Sequence, residues 1–214
     1  MRRTPRIAVL AVVLTSALSA CSDDAPAASP DPTTGDSRNP TVRPELESDV
    51  DSVLVLGDSL TNGARIFGDL GDRLDAAGFE ELEIVAFDGV DTPWGIAQVE
   101  QRAEVGEVVV VELGTNPDAD IDGFEEQVAE LVAALRERGA ERIAWVTPVH
   151  GADDRYDEKV EILHAASDID EVADWASVVR ERPRRLAADG LHPTEAGYAD
   201  LAEFLAETAL SIAR

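Results

Sequence analysis

Short runs rich in β-branched residues recur along this chain, separated by stretches of helical periodicity. They occupy residues 52–56 (SVLVL), 82–86 (LEIVA), 107–113 (EVVVVEL) and 142–147 (RIAWVT), with a weaker run at 171–175. Nearly continuous apolar runs of this length read as strands covered on both faces, a pattern that belongs to parallel sheets. Between them, Phe124, Val128, Leu131 and Leu135 fall at i, i+4, i+7 and i+11, with Asp122 placed as an N-cap and Gly139 as a stop. Tyr198, Leu201, Leu205 and Ile212 repeat the pattern near the C-terminus. Strands alternating with helices require right-handed crossovers that put helices on both faces of the sheet. The expected architecture is therefore α/β: a three-layer sandwich around a central five-stranded parallel sheet. In such a sheet ligands bind beyond the carboxyl ends of the strands, so any chemistry should appear there.

At 214 residues the chain has room for one domain with appendages. Forty-four acidic residues against eighteen basic ones give a formal net charge of -26, the wrong sign for tracking a phosphate backbone. Nucleic acid is excluded as an expected partner. The N-terminal segment reads as an address. Arg2, Arg3 and Arg6 precede an apolar run from Ile7 to Leu14, which continues through small residues to Cys21. This is the pattern of an export signal over residues 1–20. Leu18-Ser19-Ala20-Cys21 also resembles a bacterial lipobox, which implies lipidation of Cys21, the chain's one cysteine, and a membrane lipoprotein facing the extracytoplasmic side. With a single cysteine there is no intramolecular disulfide and no cysteine-based zinc site. The strong acidity repels an anionic membrane surface, so attachment is assigned to lipid and not to a basic patch.

Residues 22–49 hold five prolines, seven acidic residues and no aromatic residue. Such a stretch buries too little apolar surface to offset its ordering entropy. Together with Cys21 it reads as a disordered tether, residues 21–49, to a folded domain spanning residues 50–214.

The strand ends carry the chemistry. Gly57-Asp58-Ser59-Leu60 follows the first run, Phe87-Asp88-Gly89 the second and Gly114-Thr115-Asn116 the third; Asp189-Gly190-Leu191-His192-Pro193 comes after the fifth, before the last helix. These blocks, in this order, resemble the SGNH hydrolase superfamily, also called the GDSL esterase and lipase family. The resemblance spans nearly all of residues 50–214 and implies a flavodoxin-like SGNH hydrolase fold. Its four name-giving positions fall on Ser59, Gly89, Asn116 and His192, with Asp189 as the partner of His192. GDSL and DGLHP are the specific blocks. Pro117 stands where the family commonly has aspartate, and the glycine block fits Gly89 by position with Gly95 as an alternative. The G-x-S-x-G elbow of α/β-hydrolases is absent, since Thr61 occupies the second glycine position.

The same chemistry follows from the residue types. A serine hydroxyl needs an adjacent base, usually an imidazole whose other nitrogen is held by a carboxylate. Of three histidines, His192 has Asp189 at i-3 in the stretch before the last helix; His150 follows the fourth run, and His164, with Glu161 at i-3, lies in a helical stretch. Ser59 as a helix N-cap, His192 as a turn residue and Asn116 as an Asx-turn residue are the structural alternatives. Acyl transfer also needs hydrogen-bond donors aimed at the developing oxyanion. The Ser59 and Gly89 backbone N–H groups and the Asn116 side-chain amide are the expected donors. Asp58 reads as structural, closing the turn, while Asn62 fits either loop or site. Trp94 suits an acyl pocket or helix packing, and Trp145 and Trp175 read as strand residues in the core. The acidic runs around Asp118, Asp120 and Asp122 and around Asp153, Asp154 and Asp157 lack EF-hand spacing, so no metal is assigned. No cofactor motif occurs.

The expected activity is that of a serine esterase acting on a small-molecule ester or acylated glycan. Ser59 is the nucleophile, His192 the general base and Asp189 its orienting acid. The rival readings are an O-acyltransferase on cell-envelope glycans using the same residues, and a non-catalytic surface binding lipoprotein. The lack of an obvious lid insertion favours short acyl groups or acetylated carbohydrate over long lipids.

Overall fold

The computed structural model describes residues 50–116, 121–150 and 155–214, with Asp122 and Arg155 described by backbone alone. The expected export signal, Cys21 and tether lie outside the described residues, as do Asp118, Asp120, Asp153 and Asp154. The five expected runs form strands: β1 (Ser52–Gly57), β2 (Glu81–Ala86), β3 (Val108–Glu112), β4 (Arg142–Val146) and β5 (Glu171–Ala173). They build one parallel sheet in the order β2-β1-β3-β4-β5. The chain runs from β1 outward to β2 and then back across β1 to β3. The point of reversal therefore lies between β1 and β3, and it leaves a crevice at their carboxyl ends.

Seven helices cover the sheet among the described residues: α1 (Ser59–Phe67), α2 (Leu70–Ala77), α3 (Thr92–Glu100), α4 (Ile121–Glu137), α5 (Arg155–Ala165), α6 (Trp175–Glu181) and α7 (Glu195–Ala213). Alternation along the strands sorts them into two layers. Val53, Val55, Val108, Val110, Ala144 and Val146 pack with residues of α1, α2, α6 and α7. Leu54, Leu56, Val109, Val111, Ile143 and Trp145 point the other way, toward α3, α4 and α5. Both faces of the central strands are dry, which is why β1, β3 and β4 read as unbroken apolar runs.

Three expectations are corrected. Strand β2 is an edge strand whose first half is exposed, because no strand lies beyond it and Glu81 and Glu83 face solvent. Asp122 is not the N-cap of α4: the helix begins one residue earlier, which puts Asp122 in its first turn. Trp175 is not a strand residue. It opens α6 immediately after Asp174, whose carboxylate caps that helix by accepting from the Ser177 N–H at 2.9 Å. The histidine block comes after the fifth strand and before the last helix, as expected, with α6 and a 3-10 turn at Pro183–Arg185 between it and β5. Among the described residues no helix is long and apolar enough to cross a membrane.

Candidate active site

Strand β1 delivers Asp58 and Ser59 into the crevice. Asp58, not Ser59, caps α1: its Oδ1 accepts from the Leu60 N–H at 2.9 Å. Ser59 is therefore the first helical residue, and its hydroxyl is spared from capping. It lies 3.1 Å from His192 Nε2. The other ring nitrogen, Nδ1, is 2.9 Å from Asp189 Oδ2. A carboxylate on Nδ1 holds the proton there and turns Nε2 into an acceptor for the serine hydroxyl. The arrangement can take a proton from Ser59 and return it.

His192 is held by a small hairpin, not by its own helix. Leu186 and Pro193 form an isolated antiparallel bridge, Ala187 N donates to His192 O at 2.7 Å, and Thr194 N donates to Arg185 O at 2.7 Å. Thr194 then caps α7 through the Gly197 N–H. Asp189 Oδ1 accepts from the backbone N–H groups of Leu191 and His192, both at 3.0 Å. The Leu191 N–H first, then the His192 ring and the His192 N–H, hold the Asp189 carboxyl down at about 2. It is ionised wherever an imidazole could act as a base. Any stability this exposed group adds is present above its unfolded value of 3.8 and fades as pH falls toward 2.

Gly89 lies beyond β2 on the wall of the same cleft, with φ +74°. No neighbouring atom would obstruct a Cβ there, so the backbone conformation is what calls for glycine. Gly95, the alternative, is buried in α3, where a Cβ would come within 2.5 Å of Leu113 Cδ1. Its missing side chain serves packing, and Gly89 is the glycine that faces the crevice. The cap hydrogen bonds of α1 go to the N–H groups of Leu60, Thr61 and Asn62, leaving that of Ser59 outside them.

Asn116 lines the cleft, but its amide points elsewhere than the sequence suggested. Nδ2 donates to Asp58 Oδ2 at 2.9 Å and to the Val90 carbonyl at 2.6 Å. Both amide hydrogens are engaged, so in this arrangement Asn116 ties the loops after β1, β2 and β3 together and is not a third donor facing the oxyanion. Its own loop is braced from α5. The Tyr156 hydroxyl donates to Thr115 O, and the buried Lys159 Nζ donates to Gly114 O at 2.8 Å.

Beneath the serine lies a group that the sequence reading passed over. Glu112 closes β3 and is 2% exposed. Its Oε2 accepts from the Thr61 N–H at 3.2 Å and the Thr61 hydroxyl at 2.9 Å. Its carboxyl also hydrogen-bonds Asp58, which is fully buried. Two carboxyl groups sharing a dry site cannot both ionise readily. Burial, reinforced by the Asp58 charge, pushes Glu112 well above the ordinary range, while burial raises Asp58 to about 6. Glu112 is the member that keeps the proton and donates it to Asp58. An acid closing an otherwise apolar strand run was the signal available in the sequence, because a buried carboxyl needs a partner.

The remaining expected residues fall outside the reactive centre. Asn62, at the rim, donates to Asp88 Oδ1 at 2.8 Å and accepts from Arg65 at 2.8 Å. Trp94 packs against the core on the α3 side, and Trp145 donates to Leu113 O within it. His150 stacks on Tyr156, and His164 is exposed on α5. Asp157 pairs with Arg180 at 2.7 Å. Tyr198, expected as helix core, is only half-buried and reaches the cleft.

Residues 55–199 match the GDSL-like lipase/acylhydrolase family. No curated protein matches the chain in sequence. Among solved structures, a protein of Slackia heliotrinireducens assigned to the SGNH hydrolases is 25% identical, with a TM-score of 0.57 over 73% of this chain and 97% of its own. The C-terminal catalytic domain of the Streptococcus pneumoniae peptidoglycan O-acetyltransferase OatA is 20% identical, with a TM-score of 0.59 over 77% of this chain and 94% of its own. AlinE4, an SGNH-hydrolase family esterase, is 20% identical, with a TM-score of 0.51 over 74% and 94%. With the family match covering the blocks around Ser59 and His192 and the five-stranded architecture shared with these structures, the chain belongs to the GDSL-like lipase/acylhydrolase family, the SGNH-type serine ester hydrolases.

Proposed function

We propose that the protein hydrolyses carboxylic esters through a Ser59-His192-Asp189 triad, as an exported enzyme anchored by lipid at Cys21. The observation that carries this reading is the unbroken line of hydrogen bonds from Ser59 Oγ to His192 Nε2 and from His192 Nδ1 to Asp189, set where the strand order reverses. Ser59 Oγ attacks the ester carbonyl as His192 Nε2 accepts its proton. The Ser59 and Gly89 N–H groups receive the oxyanion. Collapse breaks the bond to the alcohol, which leaves with the proton from His192. Water, deprotonated by the same imidazole, then attacks the acyl enzyme and frees the acid and Ser59. A fluorophosphonate probe tests the first step. The full chain should be labelled once, at Ser59, and Ser59→Ala should take no label; a folded, unlabelled wild type would favour the binding-lipoprotein reading.

The second reading, O-acyl transfer to a cell-envelope glycan, draws support from the likeness to the OatA catalytic domain and uses the same steps with a sugar hydroxyl replacing water. An acylated glycan formed faster than free acid, from one acyl donor, would select it.

A further inference from the structure

Ser59, Asn62, Gly63, Ile66 and Phe67 stand at i, i+3, i+4, i+7 and i+8, one face of α1, and all five line a single cavity of about 480 Å³. The face changes character along its length. A hydroxyl and an amide occupy its first turn, Gly63 presents no side chain, and two large apolar side chains close its last turn. Ile66 and Phe67 are 54% and 57% exposed. A single exposed Ile or Phe needs no explanation, but contiguous apolar surface opening onto a reactive centre does. Tyr198 completes that surface: its ring lies 5.6 Å from that of Phe67, centre to centre. Gly63 makes room for the tyrosine, because a Cβ there would fall 2.1 Å from Tyr198 Cε1. No lysine or arginine is among the described residues lining this cavity, whose fixed charge is the carboxylate of Asp88. An anionic substrate would meet that carboxylate, with Arg65 at the rim donating to Asn62.

We infer that this face of α1, with the Tyr198 ring, is a binding subsite for a linear alkyl chain carried by the ester substrate. The inference rests on the esterase reading of the same site and names its substrate class. Seven to eight residues at a rise of roughly 1.5 Å place Ile66 and Phe67 about 10–12 Å along the helix from Ser59. Each C–C bond of about 1.5 Å advances an extended chain by roughly 1.3 Å, so eight carbons span about 9 Å and, with the bond to Ser59, reach that distance. An acetyl group reaches none of it. The short-acyl preference suggested by the lack of a lid is thus opposed by the wall of the cleft itself. The chain can be presented by either the acyl or the alkoxy part of the ester, and two substrate series separate these.

The test is kcat/KM of the full chain on p-nitrophenyl esters from acetate to dodecanoate, and on alkyl acetates from ethyl to octyl. Wild type, Ile66→Ser, Phe67→Ser and Leu82→Ser are compared. In one series the wild-type ratio of eight-carbon to two-carbon substrate should be roughly tenfold or more, since each added methylene leaves water for an apolar wall. That series identifies the part of the ester bound. The ratio should fall toward one in Ile66→Ser and Phe67→Ser. It should be kept in Leu82→Ser, which removes a 40% exposed apolar side chain from β2, away from this cavity. Flat ratios in both series by an enzyme that turns over acetate overturn the subsite and leave the esterase reading standing. Unchanged ratios in both α1 variants also overturn it and assign the two residues to a surface contact. No turnover of any ester by the folded wild type removes the esterase reading and the subsite with it.

Discussion

Ser59→Ala is expected to lower kcat for p-nitrophenyl acetate by about 10⁴–10⁶-fold, and His192→Ala to bring it to the same floor. Neither substitution leaves a nucleophile with a base: the imidazole 3.1 Å from Ser59 has no hydroxyl to deprotonate in the first, and the hydroxyl has no acceptor in the second. Groups that act as one unit are not additive, so the double variant should be no slower than either single one. Residual turnover above water would then measure what the Ser59 and Gly89 N–H groups supply alone. Stopped assays with matched circular dichroism spectra check this. A His192→Ala enzyme retaining a tenth of wild-type activity would remove His192 from its assigned role.

The second large effect concerns the carboxyl pair beneath the nucleophile. Glu112→Ala is expected to destabilise the fold by about 3–5 kcal/mol, because it strips the donor from a buried Asp58 and leaves the Thr61 N–H and hydroxyl without their acceptor. Glu112→Gln keeps the shape, an acceptor for Thr61 and a donor for Asp58, and should cost far less. The two variants also separate in their pH dependence. Both carboxyls titrate higher in the folded chain than their reference values of 3.8 and 4.5, Asp58 at about 6 and Glu112 well above its reference. The folded state therefore holds more protons than the unfolded one across that window, and stability falls as pH rises through it. Thermal unfolding of wild type from pH 5 to 9 should show a Tm that declines toward the alkaline end, with a shallower decline in Glu112→Gln. Parallel curves for the two proteins would mean that Glu112 is ionised throughout. Asp189, whose value is lowered instead, acts below pH 4 and does not confuse the comparison.

Much of this is legible in the sequence. β1, β3 and β4 are covered on both faces, so their sequences are apolar between their terminal residues, and the loops after β1 and β3 carry residues with little reason to be there except chemistry. The edge strand was less legible: LEIVA resembles a buried run, and only its place in the sheet reveals that half of it meets solvent. Trp175 failed for a related reason, since a large apolar residue serves equally as a strand end or a buried first helical residue. Asn116 and Glu112 were illegible in a different way. A residue's type announces what it can bond, not which distant group takes the bond. The amide of Asn116 is claimed by Asp58 and Val90, and the proton of Glu112 by Asp58, through contacts that exist only after the sheet has formed.

Ser59 and His192 stand 133 positions apart, one opening the first helix and the other just ahead of the last. Their 3.1 Å contact closes almost the whole domain into a loop. A chain with all five strands paired but α7 undocked from α1 and α2 would hold most of its secondary structure and no proton relay. Turnover thus reports topological closure: the relay exists only while the two ends of the domain are held together.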